Sequence, residues 1–375
     1  MANAEAQDGK AQGTAVGPRW NTLYYDDWVA REGLDLIRGY KVDDVYTVPL
    51  KWWPRVGGHA VQIQLDGTGD MNGAYVCEIA PGQQLEPQKH LFEELVYVLR
   101  GRGATNVWYE GRPKSTFEWQ QGSLFALPLN TWYQHFNLAG DEPVRFLSVT
   151  TAPVMLNLIR DDSFIFNNPA TFPQRYDSET DYFSRNYKTE TFMGWGHPSD
   201  VYFTNFIWDI NGLPFHPSNR GALAEGASFE VGHGVLGSHT LRMPGGRFTN
   251  VHRHGPGAHV LWLSGEGYSL MWPDGGEKVQ ANWGPGTLLV PPSWWWHQHA
   301  IVSAEPAQHL ALKLSSKRFK VNRLSEGTMR SSKQGGQMVE FDDFPPGLMD
   351  EVTAIFVNEC TKRGTPMNME PISGV

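Results

Sequence analysis

An internal repeat constrains this chain more than any other feature. At a fixed offset of 164 residues, His90 maps to His254, Gly101 to Gly265, Gly103 to Gly267, Trp108 to Trp272, Trp119 to Trp283, Gly122 to Gly286, Pro128 to Pro292, Trp132 to Trp296, Gln134 to Gln298 and His135 to His299. Ten identities at one unbroken offset mean that a single structural unit occurs twice. The copies run roughly from Pro49 to Leu158 and from Ala222 to Leu314. Each reads as short strands: His59–Leu65, Gly73–Ile79 and Leu95–Leu99 alternate or run apolar, and Pro81-Gly82 and Gly101-Arg102-Gly103 supply turns between them. Forty glycines and 25 prolines suit many short strands and tight turns better than a helical bundle.

Around the repeat the spacing predicts a disordered stretch over 1–20, an N-terminal unit over 21–159, a connector over 160–221, a second unit over 222–315 and a tail over 316–375. A short helix is expected near Asp27–Gly33, followed by a strand at Val45–Leu50. The connector, rich in Pro, Asn, Asp and Tyr, shows little periodicity. Its Phe164, Phe166, Trp195 and Trp208 imply packing over the two units. In the tail, apolar residues between Leu348 and Val357 recur at helical spacing and predict a helix that covers an end of the second unit or forms a subunit contact.

A net charge of −9 without a basic cluster argues against nucleic acid as partner. Cys77 and Cys360 are too few and too distant for a disulfide framework, and no apolar run approaches a membrane span. A cytoplasmic protein with a small-molecule partner is expected.

Histidine carries the chemistry. Five of the thirteen histidines fall in Val251–His259 and Pro291–His299. His252 and His254, two apart on an extended strand, present both imidazoles to one side, and a third from a distant strand completes a metal site. Three imidazoles leave coordination positions open for oxygen ligands, which suits Fe(II) first, with Mn, Ni or Zn as alternatives. In the matching positions of the first copy stand Gln88, His90 and Tyr133, a poorer set, so that copy is expected to be empty of metal.

These motifs resemble the cupin superfamily, whose first motif has the form G(x)5HxH(x)3–4E(x)6G and whose second has the form G(x)5PxG(x)2H(x)3N. His252-Arg253-His254 supplies the HxH and Gly265 the closing glycine. Gly286, Pro292 and His297 fit the second motif, with Trp294 in place of its glycine and Ile301 in place of its asparagine. The resemblance implies an all-β fold of two tandem cupin barrels, double-stranded β-helices of jelly-roll type, with a C-terminal helix. It makes His252, His254 and His297 the metal ligands and places Ala258 in the slot of the family's glutamate, whose counterpart in the first copy is Glu94.

His-x-His followed by that alanine is similar to gentisate 1,2-dioxygenase and its salicylate and hydroxynaphthoate relatives, two-cupin proteins that hold Fe(II) on three histidines and cleave aromatic rings with O2. The resemblance thus implies a dioxygenase acting on a small hydroxylated aromatic acid, with a metal-dependent lyase, decarboxylase or isomerase and a non-catalytic binding protein as alternatives. It also implies a homodimer or homotetramer. The relatives usually carry iron in the first cupin, and an arginine they place two residues after the alanine is Val260 here. Arg242, Arg247 and Arg253 are then the candidates for carboxylate recognition. Parity turns His259 away from the interior if Ala258 points inward, whereas a one-residue shift would make it a fourth ligand. His299 is read as a structural residue behind the ligands, because its copy His135 persists where the site is lost. Trp262 is read either as a wall for an aromatic substrate or as core.

Overall fold

The computed structural model describes residues 22–194, 197–217, 224–255, 257–321, 331–345 and 347–368. The stretch 1–20, for which disorder is expected, and Trp195 lie outside these residues.

The repeat is realised strand for strand. Gly73–Ile79 corresponds to Gly237–Met243, Glu94–Arg100 to His259–Ser264, Arg102–Trp108 to Gly267–Trp272, Ser115–Gln120 to Val279–Trp283, Trp132–Asn137 to Trp296–Ile301 and Val144–Thr150 to Ala307–Lys313. Each copy pairs a large sheet with a small one: eight and three strands in the first, nine and four in the second. Gly103 and Gly267 show why the matched residues travel together. A Cβ on either would collide with the ring of the matched tryptophan, Trp119 or Trp283, and with a carbonyl of the neighbouring strand.

Strand alternation explains the long apolar runs. Along Glu94–Arg100, Val96 and Val98 face the interior of the first barrel with Trp119, Phe125 and Phe146. Leu95, Tyr97 and Leu99 face the other way, into a layer shared with Leu261, Leu288, Leu310 and Leu312 of the second copy. The large sheets are therefore buried on both faces, like the strands of a parallel sheet covered on both sides. In the second copy Ala258, Val260, Trp262, Ile301, Ala307 and Ala311 form the barrel interior.

Several expectations are corrected. Val45–Leu50 is no strand: the Asp44 carboxylate accepts from the Tyr46 amide at 2.7 Å and from the Thr47 hydroxyl at 2.8 Å, which closes a turn. Arg145 then takes the carbonyls of Val45, Tyr46 and Val48. Helices form at Ala152–Ile159 and Asp162–Phe166 where none is expected, and they pack with the helix Tyr24–Arg31 on the first barrel. The connector is not irregular. Its hairpin Lys188–Gly194 and His197–Thr204 joins the second copy's large sheet, and Phe206–Ile207 pairs with Leu124–Leu127 of the first. Lys41–Val42 in turn pairs with Leu288–Leu289, so each copy receives an edge strand from outside its own repeat. The tail helix, Leu348–Arg363, covers the outer face of the small sheet rather than a barrel end, burying Val352, Phe356 and Cys360 against Tyr268, Leu270 and Ala300. Cys77 and Cys360 are free and buried. Among the described residues no helix is long and apolar enough to cross a membrane.

Candidate metal centre

His252, His254 and His297 converge inside the second barrel, with one nitrogen of each lying within 4.8 Å of the others. The His-x-His segment lies outside the regular strand ladders. Only His252 is bridged, to His297 on one side and Met338 on the other. The backbone there is nevertheless extended, held by reciprocal His252–His297 bonds of 3.0 and 2.8 Å, so the two-residue spacing still brings His252 and His254 to one ion-sized space. His252 and His297 are buried and His254 is partly exposed.

The imidazoles are oriented from behind. Nδ1 of His252 donates to the Asn250 carbonyl and Nδ1 of His297 to the Trp295 carbonyl, each at 3.0 Å. That choice of tautomer leaves the Nε2 lone pairs for the centre of the cluster, the arrangement that metal-binding histidines adopt. A transition metal fits this donor set. Where the resemblance places a glutamate ligand, Ala258 is buried among Val260 and Trp262.

The remaining sequence candidates take distinct places. His299 shares the interior face, its ring 5.7 Å from that of His297, and a 2.7 Å hydrogen bond joins its Nδ1 to Ser269. The first copy repeats this bond at 2.7 Å between Thr105 and His135, whose pKa burial lowers to about 4. His259 faces the layer between the copies, where Asn72 donates to its Nδ1 at 3.3 Å, and burial lowers its pKa to about 3. Trp262 is fully buried and stacks on Trp283 with centroids 3.3 Å apart, so it belongs to the barrel's interior core. Arg242 pairs with Glu225 and covers Phe215, and Arg253 pairs with Asp274 and Gln337 over Trp296. Arg247 is paired with Ile301, four residues along the strand from His297 and thus about 13 Å away.

Two interior histidines escaped sequence reasoning. His239 and His309 share the inward parity of Met243, Ala307 and Ala311, and their rings lie 5.8 Å apart. The signal was present as period-two alternation through Gly237–Met243 and Ala307–Lys313, but neither residue belongs to a motif.

The first copy closes its counterpart site with its own side chains. His90 Nε2 lies 2.9 Å from a Glu94 oxygen, Tyr133 donates to the same oxygen at 3.2 Å, and Tyr75 donates to the other. His90 Nδ1 donates to the Phe92 carbonyl at 2.8 Å, so both ring nitrogens face oxygen and neither is offered to an ion. Burial raises the Glu94 carboxyl, but the hydrogen bond and charge of His90, with Tyr75, outweigh it and hold Glu94 below its ordinary value. Gln88 turns away and donates to the carbonyls of Arg55 and Pro87.

Residues 75–150 match the family model described as Cupin domain. An oxalate decarboxylase of Lactobacillus farciminis, solved as a formate complex, shares 14% identity with a TM-score of 0.50, covering 74% of this chain and 86% of that one. The chain has the tandem cupin fold. An oxalate decarboxylase of Bacillus subtilis, described for its Mn(II) centres, is similar at 15% identity with a TM-score of 0.49, covering 82% of this chain and 86% of that one. No curated protein matches the sequence. In this two-cupin chain the family match falls on the first cupin, whereas the histidine cluster stands in the second.

Proposed function

We propose that this protein is a metal-dependent enzyme acting on a small carboxylic acid in its second cupin. The observation that carries the reading is the convergence of His252, His254 and His297, with the tautomers of His252 and His297 fixed by backbone carbonyls. When bound, a Mn(II), Fe(II), Ni(II) or Zn(II) ion supplies Lewis acidity and a template for substrate oxygens. The chain does the rest. Asn250 and Trp295 orient two imidazoles, the stacked Trp262 and Trp283 supply apolar interior, and Ala258 stands where the first cupin places Glu94.

A lyase or decarboxylase reaction without O2 is the reading we place first, supported by the shared fold with an oxalate decarboxylase at TM-score 0.50. Cleavage of a hydroxylated aromatic acid with O2 on Fe(II) is the second, favoured by the three-histidine set without a carboxylate. Reconstitution with Mn(II), Fe(II), Ni(II) or Zn(II) under anaerobic conditions, followed by oxalate, gentisate and salicylate with and without O2, decides between them. Turnover without O2 supports the first and oxygen uptake linked to substrate loss the second, while turnover of none of these acids with any of the four metals contradicts the proposal.

A further inference from the structure

One atom of the first cupin touches both histidine-bearing segments of the second. The Gly67 carbonyl accepts from the Gly257 amide at 3.0 Å and from the Ser293 hydroxyl at 2.7 Å, which uses both of its lone pairs. Gly257 lies three residues beyond His254, and Ser293 four before His297. Glycine permits the approach. A Cβ on Gly67 would collide with Val290 and the Pro291 carbonyl, and one on Gly257 with the Gly67 carbonyl itself. The carbonyl is held in turn by a short 3-10 turn, Asp66–Thr68. There the Thr68 hydroxyl donates to the Leu65 carbonyl at 2.9 Å and accepts from Gln64 at 2.8 Å, while the Asp66 amide donates to the Gly39 carbonyl at 2.9 Å. At the end of the same loop, Asn72 reaches His259, the neighbour of Ala258.

The repeat separates this contact from packing that any two copies would share. In the reverse direction the second cupin meets Glu93, the counterpart of Gly257, through the amides of Val235 and Leu236, which donate to its carboxylate at 2.5 and 3.2 Å. The counterpart of Ser293 is Leu129, which has no hydroxyl to donate. The hydroxyl tie thus belongs to the copy that keeps three imidazoles.

We infer that loop 66–72 of the first cupin is a positioning element of the metal centre in the second. By joining the two ligand-bearing segments at one atom, it fixes the spacing of His254 and His297 before an ion arrives and lowers the ordering cost of binding. A strand ladder does not do this for His254, because only His252 of that segment is bridged. The inference rests on the proposed metal-dependent reading and gives a task to the cupin whose own site is closed by Glu94.

The test is titration with Mn(II) followed by electron paramagnetic resonance, with denaturant unfolding of each metal-free variant alongside. Ser293→Ala is expected to weaken Mn(II) binding about tenfold or more and to change the spectrum of the bound ion, as loss of a group that orients metal ligands does. Ser293→Thr, which keeps the hydroxyl, recovers most of the affinity. Gly103→Ala, which crowds Trp119 in the first barrel, lowers stability and leaves Mn(II) affinity and spectrum unchanged. The inference is overturned if Ser293→Ala binds Mn(II) with wild-type affinity and spectrum, or if Gly103→Ala weakens binding as much as Ser293→Ala does. Absence of a bound ion from the folded wild type would instead overturn the underlying metal reading.

Discussion

His259 shows how a residue's surroundings, rather than its type, set its role. It is fully buried beside Asn72 with a pKa of about 3, lowered by burial alone. The fold therefore refuses a proton that the unfolded chain accepts near pH 6.5. Its contribution to stability is complete above that pH, is lost as pH falls toward 3, and amounts to a few kcal/mol at about 1.4 kcal/mol per unit. Denaturant unfolding between pH 7 and 4 is expected to show a shallower acid loss in His259→Leu than in the wild type. An unchanged slope would contradict the assignment. Gly267 gives a second test. Its Cβ would meet Trp283 and the Ala300 carbonyl, so Gly267→Ala is expected to destabilise by about 1–3 kcal/mol, and the same change at Gly103 by a similar amount. At this scale the sequence made the three-histidine cluster legible, because motif spacing and strand parity act locally. It hid His239 and His309, whose place depends on which strands lie opposite.

Among the elements, most strands were readable from period-two patterns and the first and last helices were readable too, but the two helices that follow the first barrel were not. Ala152–Ile159 is short and mostly apolar, so it looks like the strand it follows until its packing on Tyr24–Arg31 is known. The Val45–Leu50 stretch has strand-like residues, yet Asp44 and Arg145 take the backbone groups a ladder would need. The tail helix was expected from its apolar spacing, but only the structure gives its seat. Phe356 is fully buried and lies edge-on to Phe248 at 5.0 Å. Phe356→Ala is expected to cost about 3–5 kcal/mol in denaturant unfolding, whereas Phe164→Ala, at a half-exposed ring, should change little. Equal effects would show that the helix does not pack as described.

The whole molecule is two copies of one unit with different fates, joined by a shared apolar layer and by exchanged edge strands. Leu261 and Leu310 belong to that layer, so Leu261→Ala should cost about 2–5 kcal/mol and lower both copies together in a single calorimetric transition. Two separated transitions would mean that the copies fold independently. The division of labour is the central claim: the first cupin fills its site with Glu94, His90 and Tyr133, and the second keeps three imidazoles for an ion. Metal content per chain after loading with Mn(II) or Fe(II) tests it most directly. Wild type and His90→Ala are each expected to hold about one ion, and His254→Ala close to none. Equal loss from both variants, or no ion in the folded wild type, would contradict it.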